Sequence, residues 1–162
     1  MQIIEYSGEY EEQVKDLLVE LQKYLVDIDD WNTQVLLSNY REDYFKMDME
    51  QVKNHEGKIY LAKEEDKIIG MVLGIIHVPD EIDKLTNDCA KSGSVEELII
   101  SPSARGNGIG NQLLAKIEEY FESKACKRIT IEVFGPNQKA LGFYNKNGYV
   151  VREVFVSKEI KK

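Results

Sequence analysis

The sequence predicts an α/β fold, and three observations carry that expectation. Apolar residues recur at helical spacing in two long stretches, residues 9–26 and 108–123. Alternating or β-branched runs occupy residues 58–63, 67–77, 94–101 and 128–134, as expected of half-buried strands. A glycine-rich bend, Arg105-Gly106-Asn107-Gly108-Ile109-Gly110, joins one of those strands directly to one of those helices.

Taken in order, Gln2–Tyr6 is short and β-branched, a first strand. From Glu9 to Val26 the residues Tyr10, Val14, Leu17, Leu18, Leu21 and Leu25 mark a helix with one buried face, ended by Asp27-Ile28-Asp29-Asp30. Asn32 or Thr33 is the expected cap of a second helix carrying Leu36, Leu37, Tyr40, Tyr44 and Phe45, which stops around His55-Glu56-Gly57. Lys58–Lys63 and Lys67–His77 read as a hairpin around Glu64-Glu65-Asp66, without the preferred Asn-Gly turn. Residues 78–93 are polar and irregular, a loop with room for one helical turn. Ser94–Ser101 is the fourth strand and Gly108–Ser123 the helix after the bend, burying Ile109, Leu113, Ile117 and Phe121. Arg128–Phe134 is the fifth strand, Asn137–Lys146 a short helix, and Tyr149–Ile160 one or two closing strands.

The bend has a chemistry of its own. Three glycines at alternate positions let the backbone approach an anion closely and turn several N–H groups toward it. The helix that starts there adds unpaired N–H groups and the positive end of its dipole, and Arg105 adds a fixed charge. The arrangement suits a pyrophosphate. A dinucleotide fingerprint starting at Gly106 would need glycine where Asn111 stands, and no Gly-Lys-Ser/Thr follows to make a P-loop. R-x-x-G-x-G does fit, as Arg105, Gly108 and Gly110.

That pattern, after a strand ending in Ser-Pro, resembles the coenzyme A site of the GNAT superfamily of N-acetyltransferases. The segment Val133–Tyr149, with Asn137, Ala140, Phe143-Tyr144 and Gly148-Tyr149, resembles the superfamily's other hallmark. The resemblance is specific over residues 94–150 and rests on element order before that. It implies one domain over residues 1–162, with a central mixed, largely antiparallel sheet flanked by helices and with strands four and five splayed. It also implies an enzyme that moves the acetyl group of acetyl-CoA to a primary amine of a small molecule or peptide, by direct attack in a ternary complex.

The same resemblance distributes the roles. The pantetheine arm would run along the main chain of Leu98, Ile99 and Ile100 like an added strand. The pyrophosphate would meet the N–H groups of Gly106, Asn107, Gly108, Ile109, Gly110 and Asn111, with Arg105 beside them. Asn137 and Ala140 would line the coenzyme, although Asn137 also reads as the cap of its own helix. Tyr144 would protonate the departing sulfur; its competing reading is a core aromatic. Glu96 and Glu97 are adjacent on a strand and so face opposite sides. One could take the proton of the amine or attract it, Glu96 by motif offset and Glu97 as second choice, whereas a solvated edge needs neither. A main-chain N–H near Ile99 would stabilise an oxyanion. The family's frequent Lys or Arg is missing at Asn107, which leaves Arg105 and the backbone to hold the phosphates. The acceptor pocket is expected between the first two helices and the 78–93 loop, with Asp27, Asp29, Asp30, Trp31 and Tyr40 as lining candidates.

Composition narrows the alternatives. A chain of 162 residues can bury a core without disulfides or metal. Its net charge of −8 argues against nucleic acid as a ligand and suits a cationic substrate, or simply solubility. No apolar run approaches the ~20 residues of a membrane span, and no signal-peptide pattern opens the chain, so a cytoplasmic protein is expected. Cys89 and Cys126 read as reduced thiols, and His55 and His77 lack metal-ligand spacing. No metal is expected. Closing strands of such folds often pair between copies, which makes a homodimer an option. The competing function is a module of the same fold that binds acyl-CoA as a sensor without turnover.

Overall fold

The structure, a computed structural model, describes residues 1–86, 88 and 90–160. It divides into two compact units, residues 1–132 and 133–162. The first contains β1 (Gln2–Glu5), α1 (Glu11–Asp27), α2 (Tyr40–Asn54), β2 (Lys58–Glu64), β3 (Lys67–His77), α3 (Asp83–Thr86), β4 (Ser92–Ile100), α4 (Ile109–Ser123) and β5 (Arg128–Ile131). The second contains α5 (Gln138–Lys146). Sequence order is also sheet order, β1-β2-β3-β4-β5. The first four strands pair antiparallel and β5 joins β4 in parallel, so the sheet is mixed and largely antiparallel as expected.

Each face of the sheet has its own cover. On one, Val14, Leu17 and Leu18 of α1 and Phe45 of α2 pack with Ile59, Leu61, Met71, Leu73 and Ile99. This is the stripe that the helical periodicity of α1 encodes. Lys15 is buried beside it and bridges to Glu11 (2.7 Å) on its own helix and Glu42 (2.5 Å) on α2. Arg41 reaches back from α2 to Glu12 and Asp16. On the other face α4 lies close, because β3 and β4 present glycine to it. A Cβ on Gly74 would come within 2.5 Å of the Phe121 ring, and one on Gly93 within 2.4 Å. At Gly70 the approach is looser, a Cβ coming within 2.8 Å of Ile100 and 3.2 Å of Leu113.

Three expectations are corrected. The second helix begins at Tyr40, not near Asn32, and Leu36 and Leu37 lie outside it and exposed. The cause is Asp29. Its carboxylate accepts the N–H groups of Trp31 (3.1 Å), Thr33 (2.6 Å) and Gln34 (2.6 Å), plus the Thr33 hydroxyl. A carboxylate that satisfies three main-chain N–H groups within four residues offers the backbone an alternative to helix, and Asn32 takes a left-handed φ of 54°.

The second correction concerns the end of the chain. No closing strand forms over residues 149–160. The segment has the right alternation, but it finds no strand partner, and Val154, Phe155 and Val156 stay exposed. Third, β5 stops at Ile131 rather than Phe134, and its pairing with β4 ends at the Val95–Ile131 position. The hairpin turn is Glu65-Asp66, with Glu65 in the left-handed region at φ 53°. One helical turn, α3, does interrupt the 78–93 loop. Cys126 is a free thiol, whereas Cys89 lies outside the described residues. No described helix is long and apolar enough to cross a membrane.

Candidate active site

The site begins with one extra residue in β4. Leu73 of β3 lies opposite Glu97, but the next β3 residue, Gly74, lies opposite Val95, so Glu96 is a bulge with no partner of its own. Side chains alternate between faces along a regular strand. Gly93 points at Phe121 of α4, whereas Ile99, six residues on, belongs to the α1/α2 core. An even spacing can switch faces only through the bulge. The extra residue therefore turns Glu97 onto the α1/α2 face, opposite Leu73 in the sheet, and leaves Glu96 exposed.

Glu97 is 6% exposed and accepts a hydrogen bond of 2.8 Å from the Tyr44 hydroxyl of α2. Burial pushes its carboxyl up to about 8; the Tyr44 hydrogen bond pulls the other way, and Asp48 and Glu96 add repulsion. Asp48, one helical turn beyond Tyr44, is 6% exposed and held near 7 by burial and then by Glu96. The rings of Tyr40 and Tyr44 stack at 4.7 Å on the same helix face, and burial raises both hydroxyls. Carboxyls shifted into the range of 7 to 8 are closer to the pKa of an amine than ordinary carboxylates, which suits a general base for one.

The bulge also coincides with the end of the β4–β5 pairing at Val95. Beyond that point β4 is paired on one side only. Ser101 donates its N–H to Ile69 (3.0 Å), and antiparallel bonding recurs at every second residue. Main-chain groups of Ile99 and Glu97 are thus directed at β3, while those of Leu98 and Ile100 face the open side. The Ile100 carbonyl there takes the Nε–H of Arg105 at 2.9 Å.

The bend follows at once. Gly106 and Gly108 adopt φ of 85° and 76°, values that L side chains rarely take, and a Cβ at either would meet nothing within 4 Å. The N–H groups of Gly106, Asn107 and Gly108 donate to no main-chain acceptor among the described residues. The first intrahelical bond of α4 runs from Gln112 to Gly108 (3.2 Å), so Ile109 and Gly110 precede it with N–H groups that have no acceptor in the helix. Asn107 closes the turn by donating its side-chain N–H to Ala104 (3.4 Å). Arg105 lies over the Tyr24 ring of α1 at 5.7 Å. Such a concave run of donors fits an anion of pyrophosphate size. Glu96, Glu97, Leu98, Ile99, Ile100 and Arg105–Asn111 all fall along one continuous stretch of the first unit.

Asn137, Ala140 and Tyr144 fall together in the second. Asn137 caps α5, its side-chain oxygen accepting the Ala140 N–H at 3.2 Å. Tyr144 is 8% exposed and packs edge-on against Phe143 (5.2 Å) and Tyr149 (5.7 Å).

Comparison with known proteins places this arrangement. A model described as the Acetyltransferase (GNAT) family matches residues 23–149. The chain belongs to the GNAT acetyltransferase family. A Pyrococcus furiosus protein assigned as an acetyl transferase shares 25% identity at a TM-score of 0.75, covering 98% of this chain and 99% of that one. Glucosamine-6-phosphate N-acetyltransferase from Arabidopsis thaliana superposes at a TM-score of 0.65 with 19% identity, covering 99% and 98%. An aminoglycoside N-acetyltransferase in complex with coenzyme A gives 0.70 and 15%, covering 99% and 95%. The last two likenesses are of fold. The open GNAT sheet expected from the motifs is the sheet observed.

Sequence reasoning passed over Asp48 and treated Tyr44 as core. The signal was present in the four-residue spacing of Tyr40, Tyr44 and Asp48, a polar and aromatic stripe on one helix face. Asp29, read as a pocket-lining group, is spent on the loop; its hydrogen bonds, the Gln34 N–H first, hold its carboxyl below the usual range.

Proposed function

We propose that this GNAT protein transfers the acetyl group of acetyl-CoA to a primary amine of a small molecule or peptide, by direct attack in a ternary complex. One observation carries the reading: the β4 bulge, the end of the β4–β5 pairing and the anion-suited bend occur within 16 residues of chain, positions 95–110. A strand with an open edge followed by a diphosphate-sized cradle suits a ligand that is peptide-like at one end and doubly anionic at the other. Coenzyme A has that chemistry, and as a thioester it brings an acyl group already activated toward amines.

The bend N–H groups from Gly106 to Asn111, with Arg105, would hold the pyrophosphate. Leu98 and Ile100 offer outward main-chain groups to the amide-bearing arm; Ile99 keeps the strand in register with β3. From the second unit we assign Asn137, Ala140 and Tyr144 on the motif alone. Since the family match runs across residue 132, we treat 1–162 as one acetyltransferase domain.

An amine of pKa ~10 is protonated at neutral pH and needs to lose a proton before it can attack. Of the two candidate bases, the geometry favours Glu97, which is buried and raised toward neutrality, over the exposed Glu96. Glu97 would take the amine proton, directly or through water, and Tyr144 would return one to the departing sulfur. The outward N–H of Leu98 is the donor best directed at a developing oxyanion. We take the reaction to be cytoplasmic, and leave a homodimer as an option carried by the apolar segment 149–160.

The test is thiol release from acetyl-CoA across an amine panel, with calorimetric titration of coenzyme A alongside. Turnover with at least one amine, falling by about 10²-fold or more in Tyr144→Phe, is the expected result. Tight coenzyme binding without turnover on any amine would replace this reading with that of an acyl-CoA sensor.

A further inference from the structure

The carboxylates between α2 and β4 lack a cation. Asp48 Oδ2 is fully enclosed and has no hydrogen-bond partner, and its residue is 94% buried as the complement of its 6% exposure. Asp48 and Glu96 both act on Glu97, and Asp48 also acts on Tyr40 and Tyr44, so the group forms one electrostatic neighbourhood. No Lys, Arg or His forms an ion pair with Asp48, Glu96 or Glu97 among the described residues. The contrast within α2 is sharp: Arg41 and Glu42, on its outer face, are each paired more than once. An enclosed carboxylate oxygen without a donor is costly, and more so when charged. Something with donors and positive charge completes the cluster.

Chemistry narrows the missing group. No three His, Cys, Asp or Glu among the described residues converge as metal ligands. Two stacked tyrosine rings flank the carboxylates, and aromatic faces attract organic cations. The reacting amine cannot fill the role itself, because it attacks as a neutral group. Once Glu97 has taken its proton it is uncharged, and Asp48, whose enclosed oxygen has no donor, is still unpartnered whenever it is ionised, as a carboxyl held near 7 partly is at neutral pH. That oxygen calls for a second positive centre on the acceptor.

We propose that the acceptor is a diamine or polyamine whose remote ammonium is bound by Asp48, with the exposed Glu96 nearby, making Asp48 the specificity-determining residue. This rests on the acetyl-transfer reading above. A monoamine of the same length meets Glu97 and leaves Asp48 unserved.

The experiment compares 1,4-diaminobutane with butylamine on the full chain, by calorimetry and by steady-state acetyl transfer. The native protein binds the diamine at least about tenfold more tightly, the scale of one partly buried charge pair. In Asp48→Asn the diamine KM rises by about that factor relative to the butylamine KM. Loss of the Asp48 charge also eases the Glu97 carboxyl down, so any change in kcat or its pH profile is shared by both amines and the ratio of the two KM values is the readout. Should Asp48→Asn fail to fold by circular dichroism, Glu96→Gln carries the test, since that exposed position tolerates substitution; it reduces the diamine preference several-fold. Equal affinity of the native protein for the two amines, or a preference that survives in the variant that folds, overturns the proposal. If monoamines and diamines are acetylated equally well, acetyl transfer stands and the diamine claim falls. If diamine binding depends on Asp48 yet no amine is acetylated, the cation site stands and acetyl transfer falls.

Discussion

The bend at 105–111 and the acidic cluster between α2 and β4 are built in opposite ways. The bend is made of backbone: consecutive residues, two of them glycines at positive φ, with donors that belong to the main chain. The cluster is made of side chains from distant positions, Tyr44 and Glu97 being 53 residues apart, and depends on burial to change their chemistry. A main-chain device tolerates most side-chain changes and fails when φ is denied. A side-chain device fails one functional group at a time, with effects that depend on pH.

The sharpest way to break this contrast is Glu97→Gln. Acetyl transfer should drop by about 10²–10⁴-fold, the usual worth of a positioned base, with coenzyme affinity changed less than about twofold. Equal losses in both would mean that cluster and bend are one device. Next comes Gly108→Val. A β-branched residue at φ 76° resists the left-handed region, at roughly 1–2 kcal/mol for the conformation alone. Coenzyme affinity by calorimetry should fall about tenfold or more, with the pH dependence of kcat left in place.

Tyr44→Phe sharpens the comparison further. The Tyr44 O–H stabilises ionised Glu97, so its removal raises a carboxyl already near 8. Activity that requires the ionised base rises through that pKa, and the ascending limb of the pH–rate profile should move to higher pH in the variant. An unmoved limb would take Glu97 out of the role of base.

The smallest effect is on stability. Folding raises the Asp48 and Glu97 carboxyls, so the folded state binds more protons than the unfolded one between their unfolded values and about 7 to 8. Their contribution is fully present below pH ~4 and is lost as pH rises through 7 to 8. Thermal melts should show Tm declining over that window, and the double variant Asp48→Asn, Glu97→Gln should flatten the decline.

What was legible in the sequence follows the same division. The bend, α4 and the strand before it were readable because glycine spacing and periodicity are local properties. The start of α2 was not, because Asp29 withdraws the following main chain by side-chain hydrogen bonds that propensity does not anticipate. Residues 149–160 carry a strand's alternation, but pairing needs a neighbour that sequence cannot name. Strand alternation predicted Glu96 and Glu97 to face opposite ways, but the bulge interrupts that alternation at Glu96, whose charge acts on both Asp48 and Glu97. The ranking between them turned on the bulge, which is a matter of register with β3, 24 residues away at Leu73.

Gly74 and Gly93 have a reach beyond the ring they accommodate. They seat Phe121 at the far end of α4 from the bend, and Gly70 seats Leu113 nearer its start. The helix is thereby clamped to the sheet at both ends like a beam on two bearings, which fixes the depth at which its first N–H groups are offered. A methyl group added at Gly93 would lift one bearing. The change would be felt as a tilt at Gly108, some 13 residues along the chain from Phe121 and without any contact to it.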